Sequence, residues 1–425
     1  MIDLGLSMRA CWHIAIVLLL EMLAGGCAKD RQCCPPPYPQ APIAIDCQPV
    51  ERQPLVADLS LLHNRPQPFP ARSYCKLTER DAQCLAVMYA PNARLLDQEA
   101  EAVLAQRAGH HQADGNETTA EALKLQAIHE RNRNASAALQ LLLRIANSEQ
   151  AADNLRRQLV EVRETLADLQ RLQNAGLELP LSLPQTEAQG YEVEHKLTDL
   201  ELTIDLLNEQ LATLLGTELP RASRFWPDVN LQVNPAIPLL EEAQSLALLQ
   251  RADLAALRAA NRTSGPGSAL ALRAIGGQTN AGLGLSAGGC GLLSLLHFRA
   301  AGDEASVRRD QLQGAAADKE NSIRHEIAQS LATIEARLNQ IAVSQQRANA
   351  LRQHLENLDR SAPGVNGASF GIRKARVSLL TAHQDLFHDV IEWKIAAVKL
   401  REAEGELAID CGYTLALDYA ACYCP

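Results

Sequence analysis

The chain has 425 residues, a formal net charge of -10 and only 4% aromatic residues. So few Phe, Trp and Tyr cannot supply the buried area of conventional globular cores over this length, and no basic stripe is present to neutralise phosphates, which excludes a nucleic-acid partner. Ala, Leu, Gln, Glu and Arg dominate, the composition of long helices and coiled coils.

In chain order, residues 1–26 read as a signal peptide: Arg9 precedes the apolar run from Cys11 to Leu20, and Leu23-Ala24-Gly25-Gly26-Cys27 follows. Met8 would place Arg9 directly before the apolar run. A small residue immediately before a Cys is the pattern of a bacterial lipobox, so Cys27 is the expected lipidation site, with Ala24 where that pattern has Leu. No other segment has the ~20 consecutive apolar residues of a membrane helix, so any further membrane contact has to be peripheral or through β-strands.

Residues 27–76 are rich in Pro and Cys, including Cys33-Cys34-Pro35-Pro36-Pro37, and read as an extended tether. Cys27, Cys33, Cys34, Cys47, Cys75 and Cys84 lie early, and Cys411, Cys422 and Cys424 late. In an exported protein this predicts disulfides that staple the two ends, with a connectivity that sequence leaves open. Cys33, Cys34, Cys422 and Cys424 lack the C-x-x-C spacing of structural zinc sites. No metal and no cofactor is expected.

Helical pattern starts at Thr78, a capping residue, and Pro91 interrupts it. Four later segments carry heptads. Leu155, Leu159, Val162, Leu166 and Leu169 form the first stripe, and Leu197, Leu200, Ile204, Leu207, Leu211 and Leu214 the second. Ile323, Ile327, Leu331, Ile334, Leu338 and Ile341 form the third; Leu379, His383, Leu386, Val390, Trp393, Ala397 and Leu400 form the fourth. A 3.5-residue repeat keeps each stripe against a partner helix in a left-handed supercoil. The segments at 118–173 and 303–359 would each run roughly 85 Å, so each has to pair with the segment after it. Asn174-Ala175-Gly176-Leu177 turns the first pair and Ala362 to Gly367 the second, and the partner segments end at Gly216 and Gly405. Ala82, Leu85, Ala86 and Asn92 align with Ala243, Leu246, Ala247 and Asp253 at one constant shift. An order of short helix, long helix, turn and helix therefore occurs twice: residues 77–216 and 239–405, joined by a connector at 217–238 and followed by a Cys-containing tail at 406–425. The fold class expected is all-α, two tandem coiled-coil hairpin units.

Four motifs in this order resemble the TolC-type outer-membrane efflux family. Leu77-Thr78, Asp81-Ala82, Ala86 and Pro91-Asn92 are similar to its opening helix, and Leu207 to Gly216 to the "L-ALLG" end of its first repeat. Leu249-Gln250-Arg251-Ala252-Asp253-Leu254-Ala255-Ala256 resembles "ARRPDLRAA", with Ala252 for Pro; Gly367-Ala368-Ser369, Ile372 and Ala375-Arg376 resemble its second tip motif. The resemblance spans Leu77 to Gly405. It implies a homotrimer whose helices form a periplasmic tunnel below an outer-membrane β-barrel, together with partners: a periplasmic adaptor protein and an inner-membrane pump. Gly176 and Leu177, with Gly367 and Ser369, would be the adaptor-docking tips, since a tight Gly turn lets a second hairpin approach closely. The protein would sit at the outer membrane on its periplasmic side.

The chain departs from that family between its short and long helices. A pair of membrane strands needs more than about twenty residues. The first connection, Ala108 to Glu117, is too short and lacks alternation. The second, 264–300, is long enough but interrupted by Gly276-Gly277, Gly282, Gly284 and Gly288-Gly289. Little or no barrel is expected, which opens an alternative: a lipid-anchored periplasmic scaffold without transport. Enzyme signals are poor. Gly284-Leu285-Ser286-Ala287-Gly288 matches a nucleophile elbow by letter, but no strand–helix alternation surrounds it. His325-Glu326 lacks the second His of a zinc helix, and His110-His111 has no companion ligand. If Cys27 carries the lipid, Cys27→Ser moves the protein from the membrane to the soluble fraction on cell fractionation; unchanged membrane association would refute the assignment.

Overall fold

A polar residue that caps its own helix sets the first element in place. In a computed structural model of the chain, the Thr78 hydroxyl accepts the Asp81 backbone N–H at 3.1 Å, and a helix runs from there. The structure describes residues 73–105, 110–220, 223–262, 301–361 and 368–413, all of them within the compact unit Ala44–Pro425. The signal segment, Cys27, the tether to residue 72, the 264–300 connection with Ser286, Gly367, Cys422 and Cys424 lie outside the described residues.

The elements are β1 (Ser73–Thr78), α1 (Glu79–Tyr89), α2 (Pro91–Ala105), α3 (His110–Asn174), α4 (Leu183–Leu215), β2 (Ser223–Asp228), α5 (Leu240–Gln250), α6 (Ala252–Arg262), α7 (Ala301–Ser361), α8 (Ala368–Glu404) and α9 (Glu406–Ile409). Pro91 opens α2, because a proline at the first helical position loses no hydrogen bond. Two differences from the sequence reading stand out. Helix α3 begins at His110, so the segment expected to be a loop up to Glu117 is its first two turns, and only four residues separate α2 from α3. The end of the expected tether and a stretch inside the expected connector also form strands: β1 and β2 pair in parallel from Ser73↔Ser223 to Thr78↔Asp228. This open two-stranded sheet buries Cys75, Leu77 and Phe225, and Tyr74 meets Trp226 edge to face at 5.6 Å.

The two repeats match element by element. Helices α1 and α5 have the same length, and each ends one residue before the next helix starts. The aligned Ala82, Ala86, Ala243 and Ala247 are all buried. Helices α4 and α8 end at equivalent places, Leu215 before Gly216 and Glu404 before Gly405.

Helix α3 has two apolar faces. Ala138, Leu142 and Ile145 pack with Ala82 and Ala86 of α1, Leu211 and Leu215 of α4, and Phe225. Ala135, Leu139, Leu143 and Ala146 pack with Phe387, Ile391 and Ile395 of α8 in the other repeat. Helix α7 has one such face, Ile323, Ile327, Leu331, Ile334 and Ile341, packed on α5 and on Trp393, Ala396 and Leu400 of α8. The long helices thus pair as the heptads require. Cys84 and Cys411 form a disulfide across 327 residues of chain, Cα–Cα 5.4 Å, joining the early and late cysteine groups. In the chain-entropy description, closing a loop that long stabilises the fold by on the order of 5 kcal/mol.

Gly216 and Gly405 both take the left-handed conformation, φ 61° and 84°, and both press on the last residue of their own repeat's first short helix. A Cβ on Gly216 would lie 2.3 Å from Tyr89 Cδ1, and one on Gly405 would lie 2.8 Å from the Gln250 carbonyl oxygen. Gly216→Ala is therefore expected to destabilise by about 3 kcal/mol, combining backbone strain with the Tyr89 clash. Gly176→Ala, whose Cβ meets nothing within 4 Å, should lose only about 1–2 kcal/mol. Equilibrium denaturation of the two variants checks the order, and equal losses would contradict the packing argument.

Candidate functional site at the helix tips

Helix α3 ends where Gly176, at φ 69°, lets the chain turn back. The Leu177 N–H donates to the Leu172 carbonyl and the Gly176 N–H to the Gln173 carbonyl, both at 3.0 Å. This double bond pattern closes a helix end on a left-handed glycine. Pro184 then lies in the first turn of α4. Between them the chain exposes Leu177 and Leu181, two large apolar side chains on a turn.

The start of α8 lies beside this end of α3. Ser369 is in the first turn of α8, directly after Gly367 and Ala368. Arg373, one turn further on, contacts Asp168 at 2.7 Å and Glu164 at 3.9 Å, and Arg376 lies 3.6 Å from Glu161. These ion pairs join the start of α8 to the last turns of α3. Glu161 is nearly fully buried; burial pushes its carboxyl above the ordinary value, against the opposing charge of Arg376. The apolar seam here is Leu355 of α7 with Ala375, Leu379 and Leu380 of α8.

A second polar constellation braces α6 against the long helices. Arg251, in the break between α5 and α6, donates to both carboxylate oxygens of Asp253 at 2.8 and 2.7 Å. It also donates to Glu326 at 2.7 Å and to the Ala403 carbonyl at 3.2 Å. Lys319 reaches Asp253 at 2.8 Å and His129 lies 3.7 Å from it. Burial would raise the Asp253 carboxyl, but the Arg251 hydrogen bonds and the surrounding cations hold it well below the carboxylate range. Burial also lowers the His129 imidazole, against the opposing charge of Asp253. Arg251, His129, Lys319 and Glu326 face a cleft of about 470 Å³ with Arg133 and Lys399 on its wall. The motif containing Arg251 and Asp253 is visible in the sequence. Its partners are not, because Glu326 and Lys319 are helix residues of ordinary spacing and His129 carries no local signal. Among the described residues no group of three or more His, Cys, Asp or Glu is placed to hold a metal ion.

Glu404 ends α8 almost wholly buried. Burial and the neighbouring Glu406 charge, opposed by Arg401, push its pKa up from 4.5 to about 7. The unfolded chain releases this proton near 4.5 and the folded chain near 7, so stability present at pH 4 is lost as pH rises through that window. Glu404→Gln should therefore raise the thermal midpoint relative to the parent at pH 8 and leave it unchanged at pH 4. An equal shift at both pH values would show that Glu404 is not the titrating group.

No protein-family model matches this sequence, and no curated protein matches it. Solved structures do. The CmeC outer membrane channel of Campylobacter jejuni aligns with a TM-score of 0.59 at 12% identity, covering 81% of this chain and 88% of that one. A membrane protein from Pseudomonas aeruginosa gives 0.56 at 15% identity, covering 77% and 93%. The OprN outer-membrane channel gives 0.54 at 12% identity, covering 85% and 98%. The chain therefore has the fold of these outer-membrane channel structures, as the resemblance of its four sequence motifs led one to expect.

Proposed function

We propose that the protein is a duct component of outer-membrane efflux, with no catalytic role. Three copies form the helical duct. The tips at Gly176, Leu177, Gly367 and Ser369 dock the hairpin of a periplasmic adaptor, which couples to an inner-membrane pump, and lipid on Cys27 holds the assembly to the periplasmic side of the outer membrane. The observation that carries this reading is the shared fold with channel structures over most of the chain, and it is supported by Arg373 and Arg376, which tie the start of α8 to the end of α3 that carries Gly176 and Leu177. Exposed Leu177 and Leu181 suit docking: an apolar pair on a rigid glycine turn offers buried area at little ordering cost.

One observation favours the second reading, a lipid-anchored scaffold that does not conduct. Only four residues join α2 to α3, so the first repeat cannot contribute a pair of membrane strands of about 9–11 residues each. Single-channel recording in planar bilayers separates the two. Discrete conductance steps from the folded oligomer are expected for a duct, and silence from well-folded oligomer would leave the scaffold.

A further inference from the structure

For Cys75, Cys84 and Cys411, chain order and native pairing disagree. Cys84 is nine residues from Cys75 and 327 from Cys411. In an unfolded chain the loop-closure term, (3/2)RT ln n, favours the nine-residue loop by about 200-fold. Cys75 and Cys84 also emerge together during export, long before Cys411 is made. The folded protein nevertheless pairs Cys84 with Cys411, and Cys75 is in another disulfide.

Helix α1 makes the short pairing incompatible with the fold. Cys75 is 0% exposed in β1 and packs in one cluster with Ala82 and Ala86 of α1. At about 100° per residue, Cys84 points about 160° away from both alanines, to the opposite side of a cylinder about 10 Å across. That side receives the end of the chain. After Gly405, Leu407 packs with Val87, Leu139 and Phe387, and Cys411 and Tyr413 lie against the same cluster. Gln83 of α1 donates to the Leu407 carbonyl at 2.8 Å, and the Arg131 guanidinium of α3 stands 4.3 Å over the Tyr413 ring. This strap carries Cys411 to Cys84, and its seat is α1 itself together with α3 and α8. A chain linked Cys75–Cys84 cannot form β1 and α1 together. It therefore lacks the seat, and its Cys411 has no docked position from which to attack.

We propose that the exported chain matures through a Cys75–Cys84 disulfide and needs a partner, a dithiol isomerase of the oxidising export compartment, to transfer Cys84 to Cys411. The proposal rests on the export reading of residues 1–26 and not on conduction by the assembly. A disulfide-bearing oxidase takes two electrons and two protons from Cys75 and Cys84 as the first bond forms. An isomerase thiolate then attacks Cys84 Sγ, the Cys75–Cys84 bond breaks, and Cys75 leaves as the thiolate. The mixed disulfide on Cys84 frees α1 to fold and the strap to dock. The Cys411 thiolate attacks Cys84 Sγ and releases the isomerase thiolate, so one disulfide replaces another with no net change in electrons. The same oxidase takes Cys75 into its own disulfide. Exposure agrees with this order: Cys84 and Cys411 are half-buried whereas Cys75 is enclosed, so Cys84 is the sulfur that stays within reach of a partner's thiolate as β1 closes.

The test compares full-length protein from bacterial cells that contain or lack their exported dithiol isomerase, with thiols alkylated at lysis and disulfides mapped by mass spectrometry of non-reduced peptides. Cells with the enzyme should give Cys84–Cys411. Cells without it should give Cys75–Cys84 instead, with the ratio of the two linkages changed by about tenfold or more. An isomerase whose second active-site cysteine is replaced by alanine should be recovered as a mixed disulfide with the protein, and Cys84→Ser should abolish that adduct. Refolding of the reduced full-length chain in detergent and glutathione buffer gives the time order: Cys75–Cys84 first, then Cys84–Cys411, about tenfold sooner with purified isomerase. Equal Cys84–Cys411 in both kinds of cell, or its appearance before any Cys75–Cys84 on refolding, would overturn the proposal and leave the export and duct readings standing. Cys84 and Cys411 recovered as free thiols from both kinds of cell would overturn the proposal together with the export reading.

Discussion

A helix as long as α3, which runs unbroken from His110 to Asn174, is stable only where other elements cover its apolar faces along most of its length. The others are arranged around it. One face is covered by its own repeat, through α1 and α4, and the other by the second repeat, through α8. Every other long element has a position because α3 has two faces. Helix α7, the repeat counterpart, has the same length class and the same inward stripe on α5 and α8, and its Leu312 meets α6, yet the positions equivalent to the second face of α3, among them Arg324, Ala332 and Glu335, are exposed. A unit present twice in one chain ends this way: the first copy is flanked by the second, and the second has no third copy to flank it.

The shifts that relate the repeats locate where they diverged. One shift carries α1 and α2 onto α5 and α6, and a larger one carries the ends of α3 and α4 onto those of α7 and α8. The extra residues of the second repeat therefore enter between α6 and α7. The corresponding place in the first repeat is the four-residue step between α2 and α3. A step that short forces α2 to fold back immediately along α3, where Val103 and Ala100 meet Ala120 and Leu123. Contact there leaves no room for strands. The two repeats thus share their helical frame and differ in what stands between its short and long parts.

Much of this is legible from residues alone. The heptads define four long helices and their pairing, because apolar spacing of 3.5 residues has one geometric reading. Glycine placement marks three of the turns, Gly176, Gly216 and Gly405. What escapes is non-local. Strands β1 and β2 are short and pair across the whole first repeat, Ser73 with Ser223, so neither shows a periodic signal long enough to read. The start of α3 escapes because Gly109, His110, His111 and Gly115 read locally as a loop, whereas the helix from His110 on is extended by its packing further along. At the tips, the sequence places Gly176 and Leu177, but only the folded chain shows Arg373 and Arg376 fastening α8 beside them.

Leucine seams alone do not define where one long helix stops sliding on another, since a shift of one heptad restores most apolar contacts. The buried charges answer that ambiguity. Arg224 of β2, fully buried, reaches Asp205 at 2.7 Å and Glu201 at 2.8 Å on α4 and lies 3.7 Å from Glu149 on α3. In the second repeat Arg251 plays the same part from a different place, tying Asp253 of α6 to Glu326 of α7 and the end of α8. Replacing such a cluster by apolar residues can be neutral for stability, but removing one partner leaves an uncompensated buried charge, about 3–5 kcal/mol. A slip by one heptad would separate Arg224 from Glu149 by about 10 Å along the helix axis and incur that penalty, whereas the leucines would scarcely register it. The hydrophobic stripes therefore decide which helices pair, and the arginine clusters decide at what height, which is what brings the start of α8 to the end of α3 that carries Gly176.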